Sequence, residues 1–259
     1  MAILNLTPDS FSDGGDLATT EAALRAARAA KEDGAVILDV GGESTRPGAD
    51  PVSTEEELKR VLPFIRMATS KGLGPISIDT RNARVAEKAL RAGAGIVNDV
   101  SGLKHDPGMA TVVAAGGAGV VLSHMRGTPA TMRSLATYGD VAAEVREELE
   151  QSLGLALDAG IPREKIVVDP GIGFAKTGAQ SLALLKGLGS LGALKCPILV
   201  GPSRKSFLGE IAGVPPVERL PGTIAACVLA YHNGAKIFRV HDVAPIVQAL
   251  GVAQAILDA

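Results

Sequence analysis

Short apolar runs recur along the chain, and nearly all close on a residue able to do polar chemistry. They are ILNL (3–6) with Asn5, VILDV (36–40) with Asp39, ISIDT (76–80) with Asp79, and IVNDV (96–100) with Asn98 and Asp99. The later ones are GVVLSHM (119–125) with His124, IVVDPG (166–171) with Asp169, PILVGPSRK (197–205) with Ser203, Arg204 and Lys205, and KIFRVHD (236–242) with Arg239, His241 and Asp242. A buried strand cannot hide such a group in a core without a partner. Eight repeats of the pattern predict eight strand ends converging on one polar site. That is the layout of a (β/α)8 TIM barrel, with its active site at the C-terminal rim of the strands.

Helical periods separate the runs. Ser53 and Glu56 have capping-box spacing ahead of a helix to about Ser70. Asp106 followed by Pro107 reads as an N-cap and first helical position. Asp140 opens a helix whose stripe is Val141, Val145, Leu149, Leu153 and Leu157. Helices near 19–32, 82–92, 178–191, 221–232 and 243–257 complete the alternation, with Gly34, Gly93, Gly117, Gly160 and Gly234 as left-handed terminators. Unbroken strand–helix alternation predicts one parallel sheet and one domain over 1–259. The competing α/β fold is an open, doubly wound sheet; no G-x-G-x-x-G follows the first strand, against its dinucleotide-binding form. The first strand starts almost at Met1, so a cap over the barrel floor is expected to be absent or minimal.

Length fits this picture: 259 residues is the usual size of one such barrel. The net charge of −2 argues against a general nucleic-acid binder. Cys196 and Cys227 form no CxxC and read as free thiols. No apolar stretch is long enough for a membrane span, and no secretory signal is visible at the N-terminus, so a cytoplasmic protein is the expectation.

Two polar, Gly-rich segments directly follow predicted strands: TPDSFSDGG (7–15) and GGESTRPGAD (41–50). Such loops carry moving catalytic elements in barrels, although their residues also suit ordinary connectors. Lys205, Arg239 and His241 fall at the ends of strands seven and eight, where barrels often bind phosphate. Asn5 could ligate Mg²⁺ through its oxygen, with a diphosphate completing the shell. Asp79, Asn98 and Asp169 could read the donor–acceptor edge of a planar heterocycle; structural hydrogen bonding is the alternative for each. His124 reads more readily as structural than as a base. The four histidines show no metal-ligand spacing.

In order, ILNLTPDSFSDGG (3–15), LDVGGESTRPGA (38–49), SIDT (77–80), NDVSG (98–102), HMRGTPATM (124–132), DPGIGFAKT (169–177), GPSRKSFLG (201–209) and FRVHD (238–242) resemble the dihydropteroate synthase family of folate biosynthesis. The resemblance spans nearly the whole chain. It implies condensation of 6-hydroxymethyl-7,8-dihydropterin diphosphate with p-aminobenzoate, through early C–O cleavage and a carbocation-like pterin, and it implies a sulfonamide target. It assigns Asn5 to Mg²⁺ and diphosphate, and Arg46, Arg239 and His241 to anions, with Arg239 also over the pterin face. Asp79, Asn98, Asp169 and Lys205 match the pterin contacts, with Val100 and Met125 as apolar lining. Phe11, Thr45, Pro47, Phe174 and Ser206 match positions around p-aminobenzoate. Asp13 is a candidate to face the cationic intermediate or the metal, and Asp39 to anchor the pocket. Ala175 stands where the family often has Gly. Mg²⁺ is the implied cofactor, the partners are the two small-molecule substrates, and a homodimer through barrel helices is implied. The alternative is a pterin-binding methyltransferase acting with a corrinoid partner, which would need no diphosphate cluster. If Arg239 is a rim cation, its removal is expected to spare the fold.

Overall fold

The computed structural model describes residues 1–7, 16–44 and 51–259, those at 16–19 as backbone only. Eight parallel strands lie among these residues: β1 (Ala2–Asn5), β2 (Leu38–Gly41), β3 (Ile76–Asp79), β4 (Ile96–Asp99), β5 (Gly119–Ser123), β6 (Ile166–Asp169), β7 (Leu199–Val200) and β8 (Ile237–Phe238). β1 to β6 pair in sequence order, and β7 pairs with β8. Two single bridges join these sheets into a ring. Val168 meets Ile198, and Val240 meets Ala2. The Ile3 N–H donates to Val240 O, and the Val240 N–H to Met1 O, each at 3.0 Å. The (β/α)8 barrel is therefore closed between its last strand and its first.

The helices pack outside: α1 (Asp16–Glu32), α2 (Thr54–Ser70), α3 (Ala83–Arg91), α4 (Met109–Ala115), α5 (Val141–Asp158), α6 (Gly178–Lys186), α7 (Ser206–Ala212), α8 (Leu220–His232) and α9 (Val243–Leu257). Side chains alternate across a strand, so each strand sends one set outward to the helices and one set into the barrel. Leu38, Val40, Ile76, Ile78, Val97, Val120, Leu122, Ile166 and Val168 form the outward set and join the main core with Val61, Phe64, Ile65 and Leu149. The inward set is polar near the C-terminal ends. Register carries Asn5 beside Gly41, Gly41 beside Asp79, and Asp79 beside Asn98 on one rung. Ser123 and Asp169 pair on the opposite wall.

Local signals account for most helix ends. The Asp140 carboxylate accepts the N–H groups of Ala142 and Ala143, and Asn82 caps α3 through Arg84 N–H. All five helix-to-strand glycines have positive φ. Other expectations need correction. Ser53 accepts the Glu56 N–H, but the Glu56 carboxylate turns to Arg60, so the capping box is half formed. Asp106 does not cap α4. Its carboxylate accepts from Gly108 N–H and Ala83 N–H, forming a turn that ties its loop to the first residue of α3, and the helix starts only at Met109. The α-helix expected to 191 ends at Lys186 and continues as a 3-10 segment over Leu188–Leu194, a stretch diluted by Gly187, Gly189 and Gly192. α7 carries only Phe207 and Leu208 as buried residues, too little periodicity to announce a helix. Both cysteines are buried free thiols. Among the described residues, no helix is long and apolar enough to cross a membrane.

Candidate active site

The inward polar rung gathers around Arg239. β8 ends at Phe238, and the Arg239 N–H still bonds Val200 O, which aims the side chain into the barrel mouth. Its Nε donates to Asp39 Oδ2 and its Nη2 to Asp79 Oδ2, both at 2.6 Å. Asn98 Nδ2 donates to the same Asp39 oxygen at 3.2 Å. The other acceptors of this group, Asp39 Oδ1, Asp79 Oδ1 and Asn98 Oδ1, are buried and accept nothing from the described residues. Buried acceptors left unpaired are costly, and three side by side leave this group at the barrel mouth under-satisfied among the described residues. Burial pushes the Asp79 carboxyl well above the ordinary carboxylate range, against the pull of Arg239.

Asp169 faces this group from β6. Its Oδ1 accepts the Gly171 N–H at 2.8 Å and its Oδ2 accepts from the Ser123 hydroxyl at 3.1 Å. Burial raises its pKa, opposed by those hydrogen bonds and by the charges of Lys205 and Lys176. The turn after Asp169 depends on Gly171, whose φ is +66; a Cβ there would lie 2.0 Å from His124 O. Only glycine lets this loop lie flat on the end of β5.

Apolar residues line one side of the mouth. Val100, Met125, Met132 and Ala175 form a small buried cluster with Phe174 against it. The Lys205 ammonium lies 4.0 Å from the centroid of the Phe174 ring. Lys205 immediately precedes α7, whose first residue, Ser206, is exposed. His241 is held through Ser203, whose hydroxyl lies 2.9 Å from Nδ1 and accepts the His241 N–H. Arg204 is turned away into a two-point contact with Asp242. Asn5, half-buried, stands on the rung of Asp79 and Asn98.

The fold thus brings together Asn5, Asp79, Asn98, Val100, Met125, Asp169, Phe174, Lys205, Arg239 and His241 at one barrel mouth. Ser206 lies just beyond, at the surface. Phe11, Asp13, Thr45, Arg46 and Pro47 lie outside the described residues. Arg239 is not a free rim cation: it is locked to two buried carboxylates, because the register of β2 and β3 turns both inward beneath it.

A second buried network lies behind the loop that follows β6, and the sequence pattern did not single it out. Lys176 Nζ donates to Phe174 O at 2.8 Å, to Gly171 O at 3.1 Å and to His124 Nδ1 at 2.9 Å. The Glu148 carboxylate, its pKa held low by His124 and Arg126, can only accept, so Nε2 carries the proton toward it, 3.0 Å away, and Nδ1 accepts from Lys176. Glu148 is also paired with Arg126. Burial lowers the His124 pKa to about 4 and that of Lys176 to about 7. His124 is thus a neutral structural link. Single residues with partners on three different elements leave no local signal; only the adjacency of His124 and Lys176 to site motifs pointed this way. A cleft of about 550 Å³ beside Met125 is lined by Arg81, Lys104, Arg126 and Glu148. Its arginines are already paired, Arg81 with Glu43 and Arg126 with Glu144 and Glu148. Among the described residues, no cluster of three His, Cys, Asp or Glu could hold a metal.

Comparison with known proteins agrees with this geometry. The family model described as "Pterin binding enzyme" matches residues 1–241. The chain is 48% identical to a dihydropteroate synthase of Synechocystis over 257 residues, covering 99% of this chain and 89% of that protein. It is 44% identical to the Bacillus subtilis enzyme of the same name, covering 100% of this chain and 88% of that protein. A crystal structure of dihydropteroate synthase from Clostridium difficile, in the presence of pteroic acid, superposes with a TM-score of 0.93 at 43% identity, covering 99% of this chain and 95% of that one. A Xanthomonas albilineans synthase with 4-aminobenzoic acid gives 0.94 at 45% identity, covering 100% and 93%. Inward carboxylates, an apolar wall and full-length similarity converge on one assignment: the chain belongs to the dihydropteroate synthase family of pterin-binding enzymes.

Proposed function

We propose that this protein is a transferase that joins 6-hydroxymethyl-7,8-dihydropterin diphosphate to p-aminobenzoate, releasing 7,8-dihydropteroate and pyrophosphate. The observation that carries the reading is the set of three unpaired buried acceptors on Asp39, Asp79 and Asn98, opposite Asp169. A pterin presents N–H donors along its guanidine-like edge, and this set is complementary to them. Val100 and Met125 supply the apolar lining. Lys205 and Arg239 hold positive charge beside the ring, and His241 completes the anion side with Arg46.

The methylene C–O bond breaks early, and its electron pair leaves with the diphosphate. The aniline nitrogen then forms the new C–N bond and loses a proton. The nitrogen is weakly basic and attacks a carbocation-like carbon, so no strong base is required; His124, neutral and buried, fits a structural role. The family resemblance puts Phe174 and Ser206 in the amine slot together with Phe11, Thr45 and Pro47, and makes Asp13 the candidate to meet the developing cation or the metal. Sulfonamides, similar in shape to the amine, compete for that slot; a Yersinia pestis synthase has been solved with a sulfonamide drug complex.

Asn5 is the described oxygen ligand that suits Mg²⁺. A single rim amide, with no carboxylate cage among the described residues, fits an ion that arrives with diphosphate rather than one held by protein alone. Mg²⁺ bound there would neutralise charge on the leaving diphosphate.

The chain acts as one domain, in the cytoplasm, where the free thiols of Cys196 and Cys227 stay reduced. Two copies pair through α8 and α9. α9 carries no charged residue, and Leu229, Val247, Val252, Ile256 and Leu257 are exposed. Sedimentation analysis tests the dimer. Pyrophosphate release from the pterin diphosphate, measured with and without p-aminobenzoate and Mg²⁺, tests the reaction. Release without dihydropteroate formation in the complete mixture would defeat it.

A further inference from the structure

We propose that Lys176 is a positioning residue for the amine slot: its buried ammonium gathers the carbonyls of Gly171 and Phe174 onto His124 and so holds the Phe174 ring against Lys205. The inference rests on the reading of Phe174 as a wall of that slot.

The geometry is specific. The loop from Asp169 to Thr177 bends back over the end of β5, and two of its carbonyls converge with the His124 ring on the Lys176 side chain. All three ammonium protons have an acceptor: Phe174 O, Gly171 O and His124 Nδ1. The acceptor side chain is itself fixed. His124 is buried, and Nε2 is tied to Glu148, which Arg126 grips in turn from the loop after β5. The chain Arg126–Glu148–His124–Lys176 therefore anchors the loop to α5, a long helix with a buried stripe.

The loop needs such an anchor. Ala175 has φ +47, the left-handed region that disfavours any residue with a Cβ. Phe174 and Lys176 flank that residue, and both are tied to the same ammonium: one offers its carbonyl, the other owns the nitrogen. A three-residue clamp closes around the unfavourable backbone. The Phe174 ring is held by the backbone behind it and by Lys205 in front, at 4.0 Å. Without the clamp, Ala175 can relax toward a right-handed conformation, and the ring swings with it. Asp169, in contrast, keeps its own hydrogen bonds, from Gly171 N–H and Ser123 Oγ, and the nearby charge of Lys205, and loses only the smaller influence of the Lys176 charge. Loss of Lys176 should therefore fall on the amine much more than on the pterin.

The test compares the wild type with Lys176→Met, Lys176→Gln and Phe174→Ala. Steady-state KM is measured for p-aminobenzoate and for the pterin diphosphate, together with calorimetric affinity for a pterin without diphosphate. Lys176→Met should raise the KM for p-aminobenzoate about tenfold to a hundredfold, the scale expected of a displaced positioning group. Pterin affinity should change by no more than about threefold, because the hydrogen bonds of Asp169 remain. Lys176→Gln, able to serve one carbonyl, should fall between the wild type and Lys176→Met. An unchanged amine KM in both Lys176 variants, with a raised one in Phe174→Ala, would overturn the positioning role and leave the slot assignment standing. An unchanged amine KM in Phe174→Ala would overturn the slot assignment itself, and the proposal with it. Equal losses for amine and pterin, or failure of both Lys176 variants to fold, would make Lys176 a general structural residue and also defeat the proposal.

Discussion

Arg239 and Asp79, separated by 160 residues in the chain, are joined by a 2.6 Å hydrogen bond inside the barrel mouth. The pair changes what Arg239 is. Removing a rim cation would leave the fold intact; removing this one strands Asp39 and Asp79 as uncompensated buried carboxylates. Arg239→Ala is therefore expected to lose both turnover and stability. Breaking a buried pair from one side costs about 3–5 kcal/mol. Denaturant melts should show the loss largest above neutral pH and shrinking toward acid, where Asp79, its pKa already raised by burial, is protonated. A variant as stable as the wild type at all pH values would contradict the pairing.

Glu57 should leave a pH signature of the opposite kind to a surface carboxylate. It is buried in α2, with Oε1 unpaired, and burial raises its pKa from 4.5 to about 7. The folded state then holds a proton that the unfolded state has released, so this residue's contribution to stability falls as pH rises from 4.5 to about 7. Glu57→Gln removes the titration. It should stabilise by up to about 3 kcal/mol above pH 7 and have little effect below pH 4.5. Thermal melts across that range decide it; a gain that does not depend on pH would point elsewhere.

His124 works in the other direction. Its pKa is lowered from 6.5 to about 4 by burial, so the unfolded state binds the extra proton. Stability from this residue is complete above 6.5 and declines as pH falls toward 4. His124→Gln should flatten the acid limb of a stability–pH curve while lowering its plateau. An unaltered acid limb would mean that His124 is not held neutral.

Asp169→Asn is a sharper probe of pterin recognition than truncation. Both Asp169 oxygens accept, from Gly171 N–H and the Ser123 hydroxyl, and an amide can offer an acceptor to only one of them. The amide can keep its oxygen on the Gly171 N–H and turn its NH2 to the Ser123 hydroxyl, which rotates to accept, but a pterin N–H cannot accept from it; the lost acceptor should cost about 1–3 kcal/mol, roughly tenfold to a hundredfold in pterin affinity by calorimetry. Unchanged affinity would remove Asp169 from the pocket.

Binding should also be ordered. Lys205 borders the pterin acids and stacks on Phe174, so filling one pocket stiffens the wall of the next. Titrating p-aminobenzoate into free protein and into protein holding pterin, pyrophosphate and Mg²⁺ should show at least about tenfold tighter binding in the second case. Equal affinities would rule out this coupling.

Much of the barrel was readable in advance because burial and chemistry compete at strand ends. Asp79, Asn98 and Asp169 were conspicuous as charges and amides closing apolar runs, and period-2 alternation then aims them inward. The direction of Arg239 was not readable, since it depends on the register of β2 and β3, a property of pairing rather than of the local chain. α7 lacked a periodic apolar face, and Asp106 looked like a cap because caps and loop ties use the same carboxylate. Lys176 was silent for a related reason: its three acceptors are a ring nitrogen and two carbonyls, and carbonyls have no sequence. Thr45, Arg46 and Pro47, which carried much of the resemblance, lie in the segment outside the described residues, as do Phe11 and Asp13.

The closure of the ring sets an order of events during folding. Val240 seals the seam by meeting Ala2, and the Met1 nitrogen lies 3.0 Å from Phe238 O, across 237 residues of chain. Pairs from β1 to β6 join neighbours in sequence and can zip progressively. The seam cannot form until the far end of the barrel has been made, and contacts of such separation are slow to find. Until then β1 presents a bare, hydrogen-bonding edge, the kind that pairs with foreign strands. Pulse-labelled amide exchange should find Ile3 and Val240 among the last to gain protection, well after the amides of β4 and β5.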